Sequence, residues 1–147
     1  MEVSVTNGGS QESIGPSQTF RHFQIISNEL ATPRILFCPS DTKRRAATNF
    51  TSDLDDSRIS YFVNLDARTN LVSTQLFGDR NVTLHDTALP PGPHTVCSND
   101  PVGWSGELHK KAGNILLGDF SSQQVTPSGL RRLLEEADQS TNRLLVP

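Results

Sequence analysis

Cysteine, tryptophan, tyrosine and methionine are scarce in this chain, with Cys 2, Trp 1, Tyr 1 and Met 1 among 147 residues. Cys38 and Cys97 form no CxxC pair, so zinc-ribbon and thioredoxin-type chemistry has no support. An even count still permits a Cys38–Cys97 disulfide, which on the chain-entropy account would stabilise by roughly 4 kcal/mol for a loop of about 60 residues. Sequence spacing does not decide it, because a bridge needs Cα atoms within about 7 Å. A basic excess is also lacking: the net charge is −3, and Lys43-Arg44-Arg45 reads as a solvated loop. That balance argues against a nucleic-acid partner, since phosphate binding calls for a basic surface. No apolar run approaches the roughly 20 residues that span a bilayer. Met1 is followed by Glu2 and a polar segment rather than by a signal peptide, so the chain as written reads as soluble.

The rest of the composition is that of a loop-rich domain, 34% hydrophobic and 20% charged, with Gly 10 and Pro 9. A single domain over residues 1–147 is expected, large enough to bury a real core. The patterning predicts an α+β fold. Glu2 to Thr6 alternates as a short strand, and Ser10 to Ser17 is a polar loop. Thr19 stands as N-cap of a helix carrying Phe20, Phe23, Ile26 and Leu30 on one face, with His22 off the stripe and facing solvent. Pro33 ends that helix, Arg34 to Cys38 reads as a buried strand, and Ser40 or Asp41 could cap a short helix over Arg44 to Phe50.

Ile59 to Leu65 is the best strand by composition, with Ile59, Tyr61, Val63 and Leu65 on one face and Phe62 on the other. Gln75 to Phe77 and Val82 to Leu84 follow as strands, Thr87 to Pro93 as an irregular loop, and Val96-Cys97 as a short edge strand. Thr126-Pro127 opens a helix with Thr as N-cap and Pro at the first position, and Leu130, Leu133, Leu134 and Ala137 form its inner stripe, with Asp138 among the outer residues. Residues Arg143 to Pro147 are apolar enough to dock as a last extended segment.

Candidate chemistry gathers between Gly103 and Val125. The run Ile115-Leu116-Leu117 is a buried strand between two turns, and His109 and Asp119 bracket it with nine residues between them. If the chain folds back at Ala112-Gly113, the pair can meet at a hairpin mouth. It would then be a brace fixing the imidazole tautomer, half of a catalytic relay, or two metal ligands. A relay needs a nucleophile, and Ser105, Ser121 and Cys38 are the available ones, without a Gly-x-Ser-x-Gly elbow. No complete active site emerges, so the chain reads as a non-enzyme and the pair as a brace. Asp53, Asp55 and Asp56 invite a calcium reading but lack the Gly and distal Glu of an EF-hand. Asp79 and Arg80 point to opposite faces of an extended strand, which leaves Arg80 to clamp another carboxylate or backbone carbonyls.

These residues resemble a known family. His109, nine residues and Asp119 are similar to the H-X9-DG signature of the prepilin-processing-associated domain. Supporting motifs run in order along the chain, among them Ile35-Leu36-Phe37-Cys38-Pro39-Ser40-Asp41, Ser60-Tyr61-Phe62-Val63, Gly78-Asp79-Arg80-Asn81, Val102-Gly103-Trp104, Gly113-Asn114-Ile115 and Asn142-Arg143-Leu144. Together they look like the globular head of a type II secretion pseudopilin-like protein.

That resemblance implies an antiparallel sheet with a helix near the N-terminus and a C-terminal helix packed on it, and a structural rather than catalytic role. It implies other pseudopilin or secretion-system subunits as partners. It also implies a place at the periplasmic face of the cell envelope, inner-membrane-anchored in the full-length form by a leader-bearing helix that this sequence lacks. Met1 would then match an internal methionine of such proteins. Pseudopilin-like heads sometimes bind calcium in a loop, which keeps an extracytoplasmic binding module for calcium, glycan or a secreted substrate as the alternative, and a hydrolase using His109 and Asp119 as a lesser one. His109, Asp119, Trp104, Asp79 and Arg80 are carried over as structural positions. One departure stands out: where the family has Gly after the Asp, this chain has Phe120, at a cost if that position needs positive φ.

Overall fold

The computed structural model describes residues 3–68, 70–137 and 140–147. Two short helices come first, α1 (Thr19–Ile25) and α2 (Ser27–Leu30). Strands β1 (Tyr61–Asn64), β2 (Gln75–Asp79), β3 (Val82–Leu84), β4 (Thr87–Ala88), β5 (Gly92–Cys97), β6 (Val102–Trp104), β7 (Gly113–Leu117) and β8 (Ser122–Val125) follow. Helix α3 (Pro127–Glu136) and strand β9 (Thr141–Val146) complete the order. Six strands form one antiparallel sheet, β5-β9-β1-β2-β7-β8, and β4-β3-β6 form a smaller one. This is an α+β fold. Met1, Glu2 and Asp138, which entered the sequence reading, lie outside the described residues.

Strand alternation explains the layering. Side chains at successive positions of β1 leave on opposite faces, and both faces are covered. Phe62 joins Trp104, Ile115, Leu130, Leu134 and Leu144 in one core cluster, under α3 and the small sheet. Ile59, Val63 and Leu65 join Phe23, Leu36 and Leu145 in the other, under α1, with Tyr61 packed against it. The expected single face of Ile59, Tyr61, Val63 and Leu65 therefore holds, although the strand itself is shorter than Ile59 to Leu65. Helix α3 starts as its Thr-Pro signature predicts: Thr126 Oγ1 accepts from the Gly129 N–H at 3.2 Å, and Pro127 occupies the first turn.

Several local expectations give way. Residues 3–6 form no strand; Val5–Asn7 is a 3-10 turn, and Val3 and Val5 stay exposed because no sheet edge receives them. His22 is not solvent-facing: the Ser10–Ser17 loop folds over it, and its ring reaches Ser10 Oγ and the Ser13 carbonyl, each at 2.7 Å. Pro33–Leu36 is a 3-10 helix rather than part of a strand, with Thr32 as its N-cap. No helix covers residues 44–50; the Asp41 carboxylate accepts from the Lys43 N–H at 3.2 Å in a local turn and is otherwise held by Arg80. Thr19 does not cap α1 with its side chain. The Asp56 carboxylate does so from across the fold, accepting from the Thr19 and Phe20 N–H groups at 3.2 and 2.7 Å. The Thr87–Pro93 loop contains β4 and the start of β5, which is a six-residue edge strand pairing along all of β9. Pro93 is tolerated there because the outer side of an edge strand needs no N–H donor.

Candidate functional site

The end of β2 organises the site, because Asp79 and Arg80 leave it in opposite directions. Arg80 clamps Asp41 in a fork, Nε to Oδ2 at 2.7 Å and Nη2 to Oδ1 at 2.8 Å, and its Nη1 reaches Glu107 Oε2 at 3.0 Å. Glu107 also pairs with Lys43. The Arg80 clamp on another carboxylate is thus the one anticipated. Burial works against the Asp41 carboxylate, but the Arg80 hydrogen bonds and charge outweigh it and hold Asp41 below the usual carboxylate range. The same hydrogen bonds, donated by Arg80 to Asp41, raise Arg80 above its ordinary value.

Asp79 turns the other way into the protein and is wholly buried. Its Oδ2 accepts from the Asn114 N–H at 2.6 Å and the Asn114 side-chain amide at 3.1 Å. Oδ2 also lies 3.5 Å from His109 Nε2, whereas Oδ1 has no hydrogen-bond partner among the described residues. Burial pushes the Asp79 carboxyl up, against the hydrogen bonds from Asn114 and the nearby imidazole. Cys38 completes the group, with Sγ 3.3 Å from the same His109 Nε2 and its N–H donating to Ser60 Oγ at 3.0 Å.

The loop carrying His109 is unusual. His109, Lys110 and Lys111 take φ of 46°, 53° and 67°, and the Ala112 N–H closes the turn on the His109 carbonyl at 3.2 Å. Left-handed backbone costs a non-glycine residue roughly 1–2 kcal/mol, so three in a row persist only where the surroundings hold them. The anchors are visible: Leu108 is buried, and the Asn81 side-chain amide donates to the Ser105 and Leu108 carbonyls. Trp104 is buried against Gly113, where a Cβ would lie 2.6 Å from the indole ring. Side-chain space, not φ, is what Gly113 supplies.

His109 and Asp119 do not form a brace. Strand β7 separates them, spanning about 17 Å at the usual rise per residue. Asp119 is exposed and accepts from the Ser121 N–H at 2.9 Å, so the imidazole finds Asp79 instead. The disulfide also fails: both cysteines are free. Cys38 sits beside Ser60, next to the start of β1, whereas Cys97 pairs with Thr141 at the far end of the antiparallel neighbour β9. Asp53, Asp55 and Asp56 do not converge on a calcium site. Asp53 pairs with Arg58 and Thr48, Asp55 caps its own turn at Ser57, and Asp56 caps α1.

Cys38 was one of three nucleophiles weighed for His109, whereas Asp79 as the carboxylate beside His109 and Asp41 as the partner of Arg80 were not anticipated. One signal was available: an Asp in an otherwise apolar strand, pointing away from its Arg neighbour, must find another partner when buried. Comparison with known protein families, with characterised proteins and with solved structures finds no match to the chain.

Proposed function

We propose that the chain is the globular head of a pseudopilin-like subunit, a structural part of a type II secretion or type IV pilus-like assembly at the cell envelope, whose partners are like subunits. One observation carries the reading. Of the motifs behind the resemblance, those between Cys38 and Asn114 meet in one network, while Asp119 and Asn142 stand outside it. Cys38 hydrogen-bonds Ser60, Asp41 takes Arg80, Asp79 takes Asn114 and His109, and Gly113 lies under Trp104. A set of positions that buttress one another is what a shared fold signature requires.

The arrangement favours this reading over the hydrolase. A relay needs one imidazole nitrogen on the nucleophile and the other on the carboxylate. Here Cys38 and Asp79 face the same nitrogen, Nε2. The calcium-binding alternative draws no support from the Asp53–Asp56 segment, whose carboxylates are already engaged. The test is expression of the gene from its most upstream start, followed by assays for leader-peptidase processing, inner-membrane fractionation and co-assembly with filament subunits. Processing and membrane recovery are expected. A product that is neither cleaved, membrane-bound nor incorporated would refute the proposal.

A further inference from the structure

We propose that Cys38, Asp79 and His109 bind a divalent transition-metal ion of the zinc type, with three protein ligands and one exchangeable position. Among the described residues, one thiol, one imidazole nitrogen and one carboxylate oxygen lie within 4.8 Å of one another here. Tetrahedral zinc holds sulfur at about 2.3 Å and nitrogen or carboxylate oxygen at about 2.0–2.2 Å, which places neighbouring ligand atoms about 3.3–3.6 Å apart. The sulfur–nitrogen and nitrogen–oxygen edges, 3.3 and 3.5 Å, already have that length. The third edge, at most 4.8 Å, closes with a movement of about 1 Å.

Two observations beyond spacing point to a cation. Asp79 is wholly buried and its Oδ1 has no partner among the described residues, although a buried carboxylate is costly without compensation. Arg80, the adjacent cation, is committed to Asp41 and Glu107 on the other side. The ligands are also held from behind, Asp79 by the Asn114 backbone and amide and Cys38 by Ser60 Oγ, the kind of support that orients metal ligands. The His109 side chain is 19% exposed, which gives an ion a path from solvent. Thiolate plus imidazole selects zinc or cobalt over calcium and magnesium, which take all-oxygen shells. Binding requires the Cys38 thiol to lose its proton to solvent as the sulfur–metal bond forms.

Cobalt(II) titration of the reduced protein reads the site directly. One equivalent is expected to bind with a thiolate-to-cobalt charge-transfer band and tetrahedral d–d absorption, both abolished by zinc. Cys38→Ser should remove the charge-transfer band, and His109→Gln or Asp79→Asn should weaken cobalt binding tenfold or more, whereas Cys97→Ser should leave the spectrum intact. The wild-type chain gives a second readout that needs no variant: zinc should slow alkylation of Cys38 at least tenfold and leave Cys97 unaffected, as followed by peptide mass spectrometry. Absence of the band in the wild type overturns the proposal. So does a band that survives Cys38→Ser, or an alkylation rate at Cys38 that zinc does not change.

Discussion

Replacing Phe120 tests whether strain is stored at the β7–β8 turn. Leu117 to Ser121 is a three-residue hairpin: the Phe120 N–H donates to the Leu117 carbonyl and the Leu117 N–H to the Ser121 carbonyl, both at 2.9 Å. Loops of this kind end on a left-handed residue, the position glycine favours. Phe120 occupies it at φ 63° and is 71% exposed, so little packing offsets the backbone cost. Left-handed geometry costs a non-glycine residue about 1–2 kcal/mol. Phe120→Gly removes that cost but frees the unfolded chain by about 0.4–1 kcal/mol, for a net gain of about 0.5 kcal/mol. Phe120→Asn keeps a Cβ and tolerates the left-handed region, so it should gain about 0.5–1 kcal/mol. Phe120→Val, stiff at χ1, should lose about as much. Urea unfolding at constant m-value measures all three as shifts in midpoint. Should both Gly and Asn prove less stable than the parent, the strain argument is wrong and the ring must hold the turn through contacts.

Three further outcomes follow from particular contacts. Burial holds the His22 imidazole below its ordinary value, against the Ser13 carbonyl bond, so the unfolded chain takes up its proton first. Stability is then full above about pH 6.5 and declines as pH falls through that value; His22→Gln should flatten that limb of a melting-temperature profile, and an unchanged limb would assign it elsewhere. Gly113→Ala forces a methyl against the Trp104 ring and should cost about 1–3 kcal/mol, read by chemical denaturation and by altered Trp fluorescence. Asp41→Asn breaks the buried fork with Arg80 and should cost about 3 kcal/mol. It should also loosen the turn behind Cys38 and reduce cobalt affinity about tenfold although Asp41 is no ligand; full affinity in a folded variant would show that the turn is held by other means.

Periodicity carried much of the fold, and its failures share one cause. The α3 stripe and the two faces around Phe62 and Val63 could be read from sequence because local pattern and burial agree there. Thr126-Pro127 reads as a helix start, yet Thr32-Pro33 is the same signal and reads as a helix stop, since the preceding stripe masks it; the structure starts an α-helix at the first and a 3-10 helix at the second, with Thr as the cap and Pro in the first turn at both. His22, Asp41 and Asp56 are polar residues whose partners lie in other segments, so no local pattern marks them as buried. The candidate site fails to emerge for the same reason. The nine-residue spacing of His109 and Asp119 suggests a local pair, but the strand between them drives them apart, and the actual partners come from residues 38 and 79.

Gly78 to Asn81 bears on both proposals, and the division of its side chains keeps them separable. Arg80 and Asn81 tie down the loops at residues 41 and 105–108, which is support any head domain of this fold would need. Asp79 contributes something different, since a buried carboxylate with a free oxygen is a cost that a neutral Asn would largely avoid. A role confined to bracing would therefore be served as well by Asn at this position. If Asp79→Asn leaves the metal-free protein as stable as its parent while losing cobalt, the carboxylate is kept for the ion. If it lowers stability and cobalt binding is absent throughout, the carboxylate belongs to the brace, and the reading as an assembly subunit stands untouched.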